Sequence, residues 1–185
     1  MGRNMRSTVF LKECMADALL QLMLKKDFAR ITVNEIADAA GVNRSTWFRN
    51  FPDKHEALTF KLILLWERWA VNQGMGVRQY HVEDAPYFFR FIYENQDIFR
   101  LIYQSQAQSV VYDAFYRIMM AQADKDIYQR YNSRFYSFGL FGLLNEWVQR
   151  EFSESPEDMS LLFERIISNH WRGDDPPAEF SDTRS

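Results

Sequence analysis

Apolar residues recur along this chain at three- and four-residue spacing and almost nowhere at every second position, which predicts helices and no strand. A first helix is expected over 7–28, where Val9 or Phe10, Ala16, Leu19, Leu20, Met23 and Leu24 form one apolar stripe. Further helical patterns cover 53–76, 84–95, 96–104, 107–123, 126–151 and 157–171. The opening segment 1–6 carries two arginines and no periodicity, so it reads as a flexible arm; 174–185 reads as a loose tail. No internal repeat interrupts the series. The predicted fold class is all-α with about nine helices. It divides into a small N-terminal module over 1–52 and a larger helical body over 53–173, joined by a connecting helix over 53–76.

Segment 32–51 is the densest in local signals. Thr32 followed by Glu35 is a capping box, in which the threonine oxygen accepts from a free helix N–H while the glutamate reaches back. Val33, Ile36, Ala37 and Ala40 then fall on one side of a short helix, and the alanines admit a close neighbour. Gly41 ends that helix, because a residue without Cβ takes the left-handed backbone a tight turn needs. Asn43 suits the N-cap of a second helix running to Phe51, with Trp47 and Phe51 four apart and facing inward. Arg44, Ser45, Thr46 and Arg49 occupy its other faces. Two short helices joined by a glycine turn are the layout of a helix-turn-helix, whose second helix fits a major groove about 12 Å wide. On periodicity alone an ordinary αα-hairpin with a solvated polar face fits equally well.

The wider segment 32–58, with its Ile36-Ala-Asp-Ala-Ala-Gly-Val42 core, its Phe51-Pro-Asp-Lys54 junction and the Leu58 that follows, closely resembles the N-terminal signature of TetR-family transcriptional regulators. The resemblance implies a double-stranded DNA operator, palindromic in sequence, as partner. It also implies contacts from Thr32, Asn43, Arg44, Ser45, Thr46, Phe48, Arg49, Asn50 and Lys54. Lys54, at the start of a helix capped by Asp53, reads as a phosphate clamp together with the free N–H groups there. Two positions depart from the family pattern: Phe48 stands where tyrosine is usual, and Asn50 where an aromatic or histidine is common. Losing the phenolic oxygen removes a neutral hydrogen bond worth about 0.5–1.5 kcal/mol.

Charge changes the picture in one respect. The chain is acidic overall, with a net charge of −3, yet residues 1–55 carry nine Lys and Arg against six acids, leaving −6 on the remainder. The positive potential therefore sits on the helix-turn-helix end, where phosphate contacts would release counterions. The composition, 47% hydrophobic with 16 Phe, 9 Tyr and 5 Trp, excludes a disordered chain. Cys14 is the only cysteine, which excludes an internal disulfide and suits a reducing compartment. No secretion signal opens the sequence, and no uncharged apolar run reaches the ~20 residues that span a bilayer. A cytoplasmic protein without membrane association is expected. His55, His81 and His170 are scattered, with no metal-ligand spacing, no glycine-rich phosphate loop and no catalytic constellation. Neither a cofactor nor a metal is predicted, and a helical-bundle enzyme is the least favoured reading.

The resemblance further implies a homodimer and a small-molecule effector, of unknown identity, in the body. Gly139 and Gly142 fall inside a predicted helix, where each costs about 1 kcal/mol relative to alanine, so close approach of another helix is expected to compensate. Phe135, Phe138, Gly139, Gly142, Leu143, Trp147, Phe163, Ile166 and Ile167 are the candidate interface, with packing inside one chain as the alternative. Trp66, Phe89, Tyr93, Tyr103, Tyr112, Phe115, Tyr116 and Met119 are the candidate pocket lining; ordinary core is the competing reading of such a stripe. The region of Gly139 to Trp147, followed by Ser155-Pro-Glu157, faintly resembles the C-terminal domains of TetR relatives associated with dihydroxyacetone kinase regulation. That keeps a co-activator or protein-interaction module in view as the alternative function.

Overall fold

The computed structural model describes residues 2–75, 84–120 and 127–168, with side chains from residue 7 onward. Among the described residues there are nine α-helices and no strand: α1 (Gly2–Met23), α2 (Val33–Ala39), α3 (Arg44–Asn50), α4 (Lys54–Asn72), α5 (Ala85–Glu94), α6 (Gln96–Gln104), α7 (Ser109–Met120), α8 (Ile127–Gln149) and α9 (Pro156–Ser168). The tail 174–185 lies outside the described residues.

Two expectations at the N-terminus are corrected. Helix α1 already begins at Gly2, so the segment expected as a flexible arm is helical from its second residue. The same helix stops at Met23 rather than near Phe28, and a single 3-10 turn, Phe28–Arg30, follows. Phe28 and Ile31 are buried there, and tertiary burial of those two side chains sets a path that a continuing helix could not follow.

Local chemistry accounts for most boundaries. Helix α2 ends with the Val42 N–H donating to the Ala37 carbonyl and the Gly41 N–H to that of Asp38, with Gly41 at φ +66°. This double bond pattern satisfies carbonyls that a helix end otherwise leaves open. The same device closes α4 at Gly74, φ +72°, where Met75 bonds back to Ala70. Asp53 caps α4 by accepting from Glu56 N–H at 2.8 Å, and Ser155 caps α9 by accepting from Asp158 N–H at 3.1 Å.

A continuous apolar core joins the small module to the body. Met15, Leu19, Ile36, Trp47 and Phe51 pack together, and Leu58, Leu62 and Trp66 of α4 carry the core onward. Deeper in the body it is mainly aromatic: Phe88 meets Phe115 at 4.5 Å, Trp66 meets Phe91 edge-on at 5.2 Å, and Phe89 lies between Trp147 and Phe163. Three polar ties fasten α4 to its neighbours. Lys61, only 8% exposed, reaches Glu13 at 3.0 Å and Asp17 at 2.7 Å on α1, while Arg68 grips Glu13 from above. Arg117 of α7 forms a bidentate pair with Glu56 at 2.6 and 2.8 Å. The Trp69 indole N–H donates to Glu94 at 2.6 Å. Helix α4 is thus held to both modules.

Candidate nucleic-acid interface

The capping box of α2 is formed as its residues dictate. Thr32 Oγ1 accepts from the Glu35 N–H at 3.3 Å, and the Glu35 carboxylate accepts from the Thr32 N–H at 2.9 Å. Lys26 adds an ion pair to Glu35 at 2.7 Å. That ammonium first, and then the Thr32 donors, hold the Glu35 carboxyl down at about 2 from an ordinary 4.5. Helix α2 is therefore anchored at its first turn, and through the Gly41 turn it fixes the entry of α3.

On α3, Asn43 Oδ1 accepts from the Thr46 N–H at 2.8 Å and from the Ser45 hydroxyl at 2.7 Å. Trp47, fully buried, and Phe51 turn inward and lock the helix onto the core. A seven-residue helix would not persist alone, so these two rings hold it in place. The outward face carries Arg44, Ser45 and Arg49, all exposed, with Thr46 and Asn50 half-buried beside them. Thr46 organises this face: its hydroxyl accepts from Arg49 at 2.9 Å and its carbonyl from the Asn50 amide at 2.8 Å. The Arg44 guanidinium lies 5.4 Å from the centroid of the Phe48 ring, which is 49% exposed. Phe48 therefore supplies a stacking surface for Arg44 in place of a hydroxyl. Neither Arg44 nor Arg49 has a carboxylate partner among the described residues, so both present uncompensated donors to solvent. Such a face suits base edges and phosphate oxygens.

Lys54 is corrected. Its ammonium donates to three main-chain carbonyls, those of Phe28, Ala29 (3.2 Å) and Ile31 (3.0 Å), and sits 4.4 Å from the Phe28 ring. Burial, with Lys26 nearby, pushes its pKa down. All three N–H donors are thus spent inside the protein, stapling the 3-10 turn to the start of α4, and none is left for a phosphate.

The body rearranges the other candidate sets. Trp66, Phe89 and Phe115 are core residues, at most 3% exposed, packed ring against ring. Tyr93 lies at the surface, stacked on Trp147. Tyr103 donates to Asn145, and burial pushes its phenol pKa up. Tyr112 and Tyr116 stack on each other along α7, on the side that faces α8, and Met119 is half-buried on that helix. Of the eight, Tyr116 borders the open recess between α7 and α8. Among the interface candidates, Trp147 (1% exposed) and Phe163 (3%) lie inside the protomer, because they continue the buried Leu140–Leu144 face of α8 and the Met159 face of α9. Leu143 and Ile167 are half-buried against that core. Phe135, Phe138 and Ile166 are more than half exposed, and beyond the chain neighbours and the helix's own backbone no described atom lies within 4 Å of a Cβ placed at Gly139 or Gly142. Packing within the described part of this chain thus leaves the glycine face uncovered.

The residues that sequence reasoning missed are the long-range ones: Lys26, Lys61, Arg68 and Arg117. Each pairs across 9 or more positions, and no local spacing announces such a partner. Among the described residues no group of three or more His, Cys, Asp or Glu could hold a metal ion, and no helix is long and apolar enough to cross a membrane.

Comparison with known proteins bears on this geometry at both ends of the chain. Residues 16–58 match the family described as bacterial regulatory proteins, tetR family, and residues 86–169 match a transcriptional regulator C-terminal region. No curated protein matches the sequence. The C-terminal match names no kinase regulator, so the family assignment stops short of that finer likeness. The two matches span more than half of the chain, one covering the capped helix pair and its buried Trp47, the other the aromatic body, and together they make this protein a DNA-binding transcriptional regulator of the TetR family.

Proposed function

We propose that this regulator is a cytoplasmic homodimeric repressor that grips a palindromic operator and is released by a small molecule bound in its body. In this reading residues 1–52 are the DNA-binding module and 53–173 the effector and dimerisation domain. Arg44, Ser45 and Arg49 contact bases and phosphates directly. Thr32, Asn43, Thr46 and Asn50 hold the two helix starts and the face in register, and Phe48 orients Arg44. The observation that carries the reading is the outward stripe of α8, where Phe135, Gly139 and Gly142 form an apolar strip open to solvent, with Phe138 at its edge, more than half exposed but also in ring contact with Tyr112. Apolar surface of this kind, beside glycines that let a helix approach closely, fits the same strip of a second copy across a two-fold axis. Two-fold symmetry then presents two α3 helices to half-sites about 34 Å apart. An effector releases the operator only by binding the DNA-incompetent arrangement better, since equal affinity for both shifts nothing.

The test is selection of binding sites from a randomised duplex library by the purified protein, with sedimentation of the same preparation. A palindromic consensus and a dimer at micromolar concentration are expected. A monomer in solution that nevertheless binds a single asymmetric site would overturn the dimeric reading.

A further inference from the structure

Helices α7 and α8 diverge towards the last turn of one and the first turns of the other, leaving a recess of about 420 Å³ lined by Tyr116, Ile127, Arg130, Tyr131 and Arg134. From this geometry we infer that the recess takes a small aromatic anion, a carboxylate or sulfonate carried on a flat ring system. The inference gives the proposed effector a chemical class and rests on that proposal only for its link to DNA.

The charge of the recess favours an anion. Arg68, Arg90, Arg100, Arg117 and Arg150 each have a carboxylate within 4 Å. Arg130 and Arg134 have none among the described residues, although they lie in the part of the chain that carries the acidic excess. Elsewhere the same bareness marks Arg44 and Arg49, the donors turned towards nucleic acid. Arg130 and Arg134 are also four apart on one helix, a like-charge spacing that weakens the helix unless an anion sits between them.

Its shape favours a flat ring. Tyr112 and Tyr116 stack with an interplanar angle of 12°, and the Arg134 guanidinium lies 3.8 Å from the Tyr116 ring centroid while donating to the Tyr112 hydroxyl at 2.5 Å. Arg134, lying over the Tyr116 ring, is therefore fixed as one wall, Tyr131 adds a second aromatic side chain, Ile127 an apolar patch, and Arg130 a free fork of donors. The volume falls within the range of small-molecule sites, and a guanidinium fork matches a carboxylate or sulfonate edge. A cation is disfavoured by the two arginines, and a neutral ring would leave them unanswered. Asp113, near Arg134, offsets part of that charge. The recess lies on the α7 side of α8, where Tyr112 touches Phe138, whereas Phe135, Gly139 and Gly142 face away from the described body. Ligand and twin protomer can therefore share the helix. Tyr116 also adjoins Arg117, whose pair with Glu56 grips the first turn of α4, so an occupant displacing the end of α7 acts on the helix that follows the DNA-binding module.

The experiment uses a matched pair of fluorescent probes on the full chain: 1-anilinonaphthalene-8-sulfonate and its uncharged counterpart N-phenyl-1-naphthylamine. The sulfonate is expected to bind at least about tenfold tighter, and R130Q to remove about tenfold of that affinity while leaving the neutral probe and the circular dichroism unchanged. Equal affinity for both probes, or indifference of the sulfonate to both R130Q and R134Q, overturns the inference. So does a change of dimerisation in those variants with sulfonate binding intact, because the arginines would then serve the twin contact. Operator affinity is read separately with and without the sulfonate. Arg130-dependent binding that leaves DNA affinity untouched supports the site and counts only against its role as the effector site.

Discussion

Helices α3 and α8 both carry aromatic rings at helical spacing, and they place them oppositely. On α3, Trp47 is fully buried, and the outward face is polar, with arginines that have no acidic partner among the described residues. On α8, Leu140, Leu144 and Trp147 fill the core while Tyr131, Phe135 and Phe138 remain more than half exposed. One region is thus complete inside and offers hydrogen-bond donors; the other is complete inside and still offers apolar surface. A duplex rewards the first kind of face, through groove edges and phosphates, and a protein surface rewards the second. In the proposed function the difference separates DNA binding from dimerisation along one chain, with α4 tied to both.

The sharpest way to break that contrast is to cut a ring from each side. Trp47→Ala removes a fully buried indole and is expected to cost about 3–5 kcal/mol in urea unfolding. Phe135→Ala removes a ring that is 67% exposed, so protomer stability should stay within about 0.5 kcal/mol of wild type, while sedimentation shifts towards monomer. If Phe135→Ala proved as destabilising as Trp47→Ala without changing the oligomeric state, the α8 stripe would be intramolecular core after all.

Arginine removal sharpens the other side. Arg44→Ala and Arg49→Ala are each expected to lower operator affinity by about 1–3 kcal/mol with unaltered melting. Arg44→Ala should also erase any effect of Phe48→Ala on binding, since Phe48 acts by stacking on that guanidinium. Independent, additive losses in the double variant, measured by fluorescence anisotropy, would reject the pairing.

What could be read in advance follows from the range of each interaction. The Thr32–Glu35 box, the Gly41 turn, the Asn43 cap, the Asp53 cap and the Ser155 start are settled within four residues, and all five stand as their sequence predicts. So does the inward turn of Trp47 and Phe51, because only one face of α3 is apolar. Helix α8 defeated the same reasoning: it is apolar on two faces, so spacing alone could not say that Trp147 points in and Phe135 out. For the aromatic set spacing is equally mute, since it does not say that Trp66 and Phe115 pack against Phe91 and Phe88 in the core. Lys54 was misjudged because its partners, the carbonyls of Phe28, Ala29 and Ile31, lie 23 to 26 positions away. The structure accordingly changes the expected outcome of Lys54→Ala. Stability of the DNA-binding module should fall by about 1–3 kcal/mol as those carbonyls lose their donor, whereas the salt dependence of DNA binding stays as in wild type. A slope flattened by about one unit would restore Lys54 as a phosphate contact.

The smallest expected effect concerns the tie between α1 and α4, and its sign can be worked out. The Arg68 guanidinium hydrogen-bonded to Glu13, helped by Lys61 and opposed by burial, holds the Glu13 carboxyl down at about 2 from an ordinary 4.5. A folded-state pKa below the unfolded one means the pair stabilises fully above pH 4.5 and is progressively lost as the pH falls towards 2. Glu13→Gln should therefore cost about 1 kcal/mol at neutral pH, because Arg68 is half exposed and its charge is screened by water. Below pH 2 the variant and the wild type should converge. Urea titrations from pH 7 to pH 2 measure that gap directly, and a gap that widened on acidification would mean that Glu13 stabilises the fold in its protonated form, leaving Lys61 and Arg68 to be balanced by Asp17.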